Sequence, residues 1–175
     1  MKKILLMLTP FLILLSCSEP APQVPYNKIE KDNPNASFLE LNKAFAEIED
    51  SLICVYVKNS PETFATTKSG LRYYIKEQGV GNVVGHSDDV TFRYSVRQLD
   101  GTTCDKLTNV TKTVNLEKGE LERGFREALS MLRVSGTGVF VMPSFLAYGV
   151  VGVSQCIPAW TPVECEITLV DFESK

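Results

Sequence analysis

The hydrophobic positions of this chain change period as it runs. After Lys2 and Lys3, residues Ile4 to Leu15 are apolar almost without a break. A run of twelve residues is too short to cross a bilayer as a helix, and a basic start before a short apolar core is the layout of an export signal over residues 1–16. Residues 17–36 then hold Pro20, Pro22, Pro25 and Pro34 among polar residues, and read as an extended tether with a reach on the order of 50 Å. From Ser37 the spacing becomes helical. Ser37 and Glu40 form a capping-box pattern, and Phe38, Leu41, Phe45, Ile48, Leu52 and Val55 recur every three or four residues, predicting an amphipathic helix to about Val57. The stripe suits packing on the protein's own domain or a loose homodimer through residues 37–57 better than a coiled coil. Fewer than three heptads are present, flanking charge pairs are lacking, and Ile53, Tyr56 and Val57 blur the seam. Cys54 falls off the stripe and is expected to be exposed.

Further along, the period drops to two. Val90, Phe92, Tyr94 and Val96 alternate with Thr91, Arg93, Ser95 and Arg97, the pattern of a strand with one buried face. Leu99-Asp100-Gly101-Thr102 supplies a turn in which Gly101 takes positive φ, and a second strand is expected to begin near Thr103. Leu121, Phe125, Ala128, Leu129 and Leu132 predict the apolar face of a helix that stops before Gly136. Val139 and Val141 mark a strand that Pro143 ends, and Val163, Cys165, Ile167 and Leu169 line one face of a last strand, so Cys165 points inward. The sum is an α+β domain over residues 69–175: an antiparallel sheet with one helix laid across it, joined to the first helix by the connector within 37–68.

Composition narrows the functional classes. A formal charge of −3, with both signs interspersed, gives no basic footprint for nucleic acid. The Leu14-Leu15-Ser16-Cys17 boundary is similar to a bacterial lipoprotein signal, implying cleavage before Cys17, lipidation of its thiol and a membrane anchor. The expected location is the cell envelope, facing the periplasm, on the outer membrane in preference to the inner. Cys54, Cys104, Cys156 and Cys165 can then meet an oxidising compartment. No Cys-x-x-Cys pair occurs and His86 is the one histidine, so no metal site or cofactor is expected. His86 lies in the polar Gly85 to Asp89 loop, and the charges between Glu117 and Glu127 suit the wet side of a helix.

From Ser69 to Phe172 the order of landmarks carries a resemblance: Ser69-Gly70-Leu71, Gly79-Val80-Gly81, the Val90 to Val96 strand, Asp100-Gly101-Thr102, Gly124-Phe125, Leu146-Ala147-Tyr148-Gly149 and Ile157-Pro158. Together they resemble FKBP-type peptidyl-prolyl cis-trans isomerases. The leader, tether and helix are similar to those of the gliding-motility-associated isomerase lipoproteins. The resemblance implies a sheet curled around one helix with an apolar basket for a proline ring between them. It also implies rotation of X-Pro amides in proline-containing segments of envelope proteins.

Carried over by position, the resemblance places Tyr94, Asp105, Phe125 and Tyr148 as the catalytic set. Phe125 forms the floor where a tryptophan is frequent, Tyr148 donates to the substrate carbonyl, and Tyr94 and Asp105 shape the wall. Leu121, Glu122 and Ile157 fall at substrate-binding positions, as do Cys104, Cys156 and Cys165. Cys104 and Cys165 stand where the family places basket aromatics, and Lys112 or a neighbour stands at another. Each exchange forfeits part of the roughly 1.5–3 kcal/mol that a fully buried ring contributes. The alternative is therefore a non-catalytic chaperone or scaffold of the same fold. In the family fold the strand carrying Tyr94 lies between those of Cys104 and Cys165, two steps of about 4.8 Å, beyond the roughly 7 Å that a disulfide spans. The resemblance thus implies Cys104 with Cys156 for any bridge.

Overall fold

A computed structural model describes residues 34–174. The signal, the Cys17 boundary and most of the tether lie outside the described residues. The elements are α1 (Pro34–Asn59), β1 (Ala65–Thr66), β2 (Arg72–Glu77), β3 (Val80–Val83), β4 (Asp89–Gln98), β5 (Val110–Asn115), α2 (Arg123–Leu129), β6 (Arg133–Val134), β7 (Thr137–Met142) and β8 (Val163–Glu173). Six strands form one antiparallel sheet in the order β1-β2-β7-β8-β4-β5, and β3 pairs with β6 separately.

The period-two readings hold at the centre of this sheet. Val90, Phe92 and Val96 of β4 are buried, as are Val163, Cys165, Ile167 and Leu169 of β8. Register explains why they share a face: Tyr94 lies opposite Ile167 and Val96 opposite Cys165. A bulge near Thr91 then shifts the ladder, so Phe92 faces Leu169 while Val90 faces Phe172. The extra residue, Val170, is turned out, and Phe172 returns to pack on the core three positions after Leu169.

Helix α2 sits on this inner face at close range. A Cβ on Gly124 would come within 2.7 Å of both the Leu146 carbonyl oxygen and Met142 Sδ, so glycine is what lets the helix approach β7 and the turn after it. The helix is shorter than the apolar pattern predicts. Glu122, at ψ 147°, is still extended, so Leu121 enters the core from a loop. Leu132 is fully buried after the helix has closed in tight turns. Gly136 does not stop the helix. It closes the turn between β6 and β7, where Ser135 takes the left-handed conformation at φ 64°.

The strand expected from Thr103 is displaced. Thr103 makes one isolated bridge with Arg97, and the chain then forms a 3-10 turn over Asp105–Leu107 before β5 begins at Val110. The detour turns Cys104 and Leu107 into the core, and Asn109 re-enters the ladder at φ 55°. Asparagine tolerates that region better than most residues.

Helix α1 begins at Pro34, ahead of Ser37, so Ser37 is inside the helix and not its cap. The predicted stripe is not the face that packs. Phe38, Leu41, Ile48, Leu52 and Val55 are each more than half exposed, whereas Glu49 and Ile53 are buried. The packed face is rotated by one position, about 100°, and polar contacts select it. Asp50 pairs with Arg72 of β2, Tyr56 Oη donates to Glu164 of β8, and Glu49 reaches Ser144. Phe45, common to both stripes, stacks on Trp160 with ring centroids 4.7 Å apart.

Candidate active site

Three structural elements bring three rings together on the inner face. Tyr94 comes from β4, Phe125 from α2 and Tyr148 from the loop that follows β7. Tyr94 meets Phe125 edge to face at 5.3 Å between centroids, and Phe125 lies 6.4 Å from Tyr148. Phe92 extends the group, stacked on Tyr94 at 5.5 Å. Edge-to-face and tilted pairs at these separations are favourable arrangements for aromatic quadrupoles. Phe125 is 1% exposed, whereas Tyr94 and Tyr148 are half-buried and keep an open side.

Tyr148 is held by its neighbours' backbone. A 3-10 turn over Ser144–Leu146 follows Pro143, and the Ser144 carbonyl accepts the N–H groups of both Ala147 (2.9 Å) and Gly149 (2.8 Å), which flank Tyr148. The Tyr148 carbonyl accepts from Gly152 at 3.0 Å, and the Gly149 carbonyl accepts from Trp160 at 3.0 Å. Burial pushes the Tyr148 hydroxyl far above the usual phenol range, reinforced by Cys165, Glu122 and Tyr94. Burial likewise raises Tyr94, with Glu122 and Cys165 adding to it. Both hydroxyls therefore stay protonated, as donors, throughout the neutral range.

The remaining expected residues divide by placement. Leu121, Ile157, Cys104 and Cys165 are buried in the same core cluster as Phe125, and Cys156 packs partly buried against it. Glu122 is the half-exposed residue immediately before α2. Lys112 of β5 lies opposite Phe92 and is half-buried, so a cation stem occupies that side of the sheet. Asp105 stands apart. It is exposed at the start of its turn, and no hydrogen bond joins it to Tyr94 among the described residues. The turn that tucks in Cys104 and Leu107 carries the carboxylate outward.

Cys104 and Cys156 form a disulfide, their Cα atoms 5.4 Å apart. Cys165 is a fully buried free thiol, and Cys54 is free and exposed. Burial holds the Cys165 thiol well above its ordinary value, with Glu164 and Glu122 pushing the same way, so it is a packing group and not a nucleophile. Phe45 of the predicted stripe braces the Tyr148 loop together with Ser144, Trp160 and Glu49, and these last three were invisible to sequence patterning. No periodic or motif signal distinguishes them. A separate cleft of about 760 Å³, lined by Leu52, Val55, Tyr56, Phe64, Tyr74 and Pro162 among others, shares no residue with the ring cluster.

A sheet wrapped on one helix, with a cluster of rings between them, defines an FKBP-like domain. Residues 81–170 match the family described as FKBP-type peptidyl-prolyl cis-trans isomerase, and the chain belongs to that family. It is 31% identical over 109 residues to the FKBP-type peptidyl-prolyl cis-trans isomerase FkpA of Buchnera aphidicola, covering 62% of this chain and 43% of that protein. It is 29% identical over 126 residues to the outer membrane protein MIP of Legionella longbeachae, covering 70% and 53%. The chain thus spans about half the length of these curated relatives. Among solved structures, FkpA from Escherichia coli superposes with a TM-score of 0.62 at 25% identity, over 79% of this chain and 65% of that one.

Proposed function

We propose that the protein catalyses cis-trans isomerisation of X-Pro bonds in exported polypeptides. The observation that carries this reading is the meeting of Tyr94, Phe125 and Tyr148 from three different elements, with Tyr94 and Tyr148 each keeping an open side. The reaction breaks no σ bond, so it needs no nucleophile. Its barrier is the lost amide conjugation, which makes the uncatalysed event take roughly tens to hundreds of seconds. A proline ring seated against the cluster that holds Phe125, Leu121 and Ile157 would take its amide out of water, favouring the less polar twisted state. The Tyr148 hydroxyl, kept protonated by burial, donates to the carbonyl as it turns out of conjugation. Tyr94 and Cys165 complete the cluster, and the Cys104–Cys156 bridge fixes the rim beside Ile157. Glu122 offers its backbone N–H, and Asp105 marks the outer rim. Acceleration of a refolding reaction limited by proline isomerisation tests the reading directly.

A second reading has its own support. Cys104 and Cys165 give the basket two sulfurs where the family has rings, and one of them is tied into the disulfide. A cluster altered in this way suits a chaperone that holds extended segments without turning their amides. Binding of a proline-containing peptide with no rate effect would select it.

The setting belongs to the same proposal. Lipidation at Cys17 would tether the domain to the envelope membrane facing the periplasm. No helix among the described residues is long and apolar enough to cross a membrane. The exposed Phe38, Leu41, Ile48, Leu52 and Val55 of α1 support a weak homodimer through residues 37–57. Fractionation of a Cys17→Ser variant tests the first, since loss of the lipid should release the protein from membranes.

A further inference from the structure

Helix α1 touches the Tyr148 loop through a buried carboxylate. Glu49 is 3% exposed and gives both oxygens to one residue: Oε2 accepts the Ser144 backbone N–H at 2.6 Å, and Oε1 accepts the Ser144 hydroxyl at 2.6 Å. Ser144, itself 1% exposed, uses its carbonyl to hold the N–H groups on either side of Tyr148. The path from α1 to the Tyr148 backbone is therefore a carboxylate, one residue and two flanking amides. A second hold lies one turn earlier on the helix. Phe45 stacks on Trp160, interplanar angle 10°, and the Trp160 N–H donates to the Gly149 carbonyl.

Docking alone does not call for this charge. Burying a carboxylate is costly, and apolar residues of similar volume often serve a packed interface as well or better. A carboxylate offers two acceptor oxygens in a fixed plane, able to take both donors of a single residue with strong, charge-assisted bonds. That property fixes the orientation of Ser144, and through it the backbone that presents Tyr148.

We propose that Glu49 is a positioning residue for Tyr148, so that α1 forms part of the isomerase machinery. The proposal rests on the isomerase reading of the site. Glutamine at this position keeps the size but removes the charge that strengthens both bonds, and the Ser144 hydroxyl must reverse its role to accept from the new amide. In the full-length protein, Glu49→Gln is expected to stay folded and to lose about tenfold in kcat/KM, as a misplaced reacting group does. The loss should fall on kcat more than on KM, because the misplaced hydroxyl is needed in the twisted state. The Tyr148 ring resonances, assigned by their absence in Tyr148→Phe, should shift. Ser144→Ala removes one of the two contacts and should lose several-fold, with no further loss in the Glu49→Gln/Ser144→Ala double variant, because both act on one link. Glu47→Gln, on the exposed side of α1, serves as the control and should change neither reading.

A folded Glu49→Gln protein with wild-type kcat/KM and unmoved Tyr148 resonances overturns the proposal, as do fully additive losses. Should Glu49→Gln unfold, Ser144→Ala decides, since unchanged kinetics and spectrum there overturn it equally. Should the wild type itself lack activity, the isomerase reading fails separately. The Tyr148 shift then decides whether Glu49 sets the loop.

Discussion

Cys104 and Cys156 are 52 positions apart in sequence, yet their Cα atoms lie 5.4 Å apart, so the turn after β4 and the loop after Tyr148 are one covalent unit. A closed loop of that length restricts the unfolded chain by an amount worth about 4 kcal/mol in the chain-entropy account. Reduction should therefore lower the melting temperature and change the affinity for proline-containing peptides, because the rim beside Ile157 is freed. Non-reducing peptide mapping should find Cys104 crosslinked to Cys156. Cys54 should alkylate readily and Cys165 only after unfolding. A Cys104–Cys165 crosslink would contradict the arrangement.

Tyr148→Phe keeps the ring and removes the donor. With a hydrogen bond typically contributing about 1 kcal/mol net, the expected loss in kcat/KM is roughly five- to tenfold, with little change in melting temperature. Phe125→Ala differs in kind. Phe125 is 1% exposed, and emptying such a site costs about 3–5 kcal/mol in stability, so activity and melting temperature should fall together. Phe125→Leu separates the floor's role from its packing: activity should drop more than stability.

The raised hydroxyls of Tyr94 and Tyr148 fix the sign of the alkaline response. A folded-state pKa above the unfolded value means that the native protein holds its proton longer, so stability falls as pH rises past the unfolded phenol value of about 10. Denaturation midpoints in urea should show no pH dependence from these groups up to about pH 9 and then decline. Isomerisation rate should show no step near neutrality from either tyrosine or from the Cys165 thiol. A stability gain above pH 10 traced to Tyr148 by its phenylalanine variant would contradict the burial argument.

Leu41, Ile48 and Leu52 are more than half exposed on α1. Charged substitutions there should change fold stability by no more than about 0.5 kcal/mol. If residues 37–57 pair in solution, Ile48→Glu with Leu52→Glu should shift sedimentation from a concentration-dependent dimer to a monomer. A protein that sediments as a monomer at all concentrations before substitution would remove the dimer from the account.

Some of this architecture was legible in the chain, and the reasons differ by residue. Strands β4 and β8 carry strict alternation because each has one face on the core, so Tyr94 and Cys165 could be aimed inward from spacing alone. Phe172 could not, since the bulge at Val170 breaks the period before it. The family resemblance placed Phe125 and Tyr148, and the structure gathers them with Tyr94. Asp105 was placed by the same resemblance but faces solvent, because a turn is shorter than the expected strand and rotates its side chains differently. Helix α1 gave the least reliable signal. Its apolar stripe is conspicuous, yet Glu49, Asp50 and Tyr56 choose the neighbouring face through specific partners. Periodicity counts apolar residues and has no means of weighing such pairings.

The central claim is catalytic, and one assay bears on it most directly: refolding of an unrelated protein limited by a trans-to-cis prolyl bond, with the full-length protein added at increasing concentration. The account predicts a slow-phase rate that rises in proportion to the added protein and a much smaller slope for Tyr148→Phe. A slow phase that stays at its buffer value at the highest concentration, while proline-containing peptides still bind, would contradict the isomerase and leave the holding chaperone.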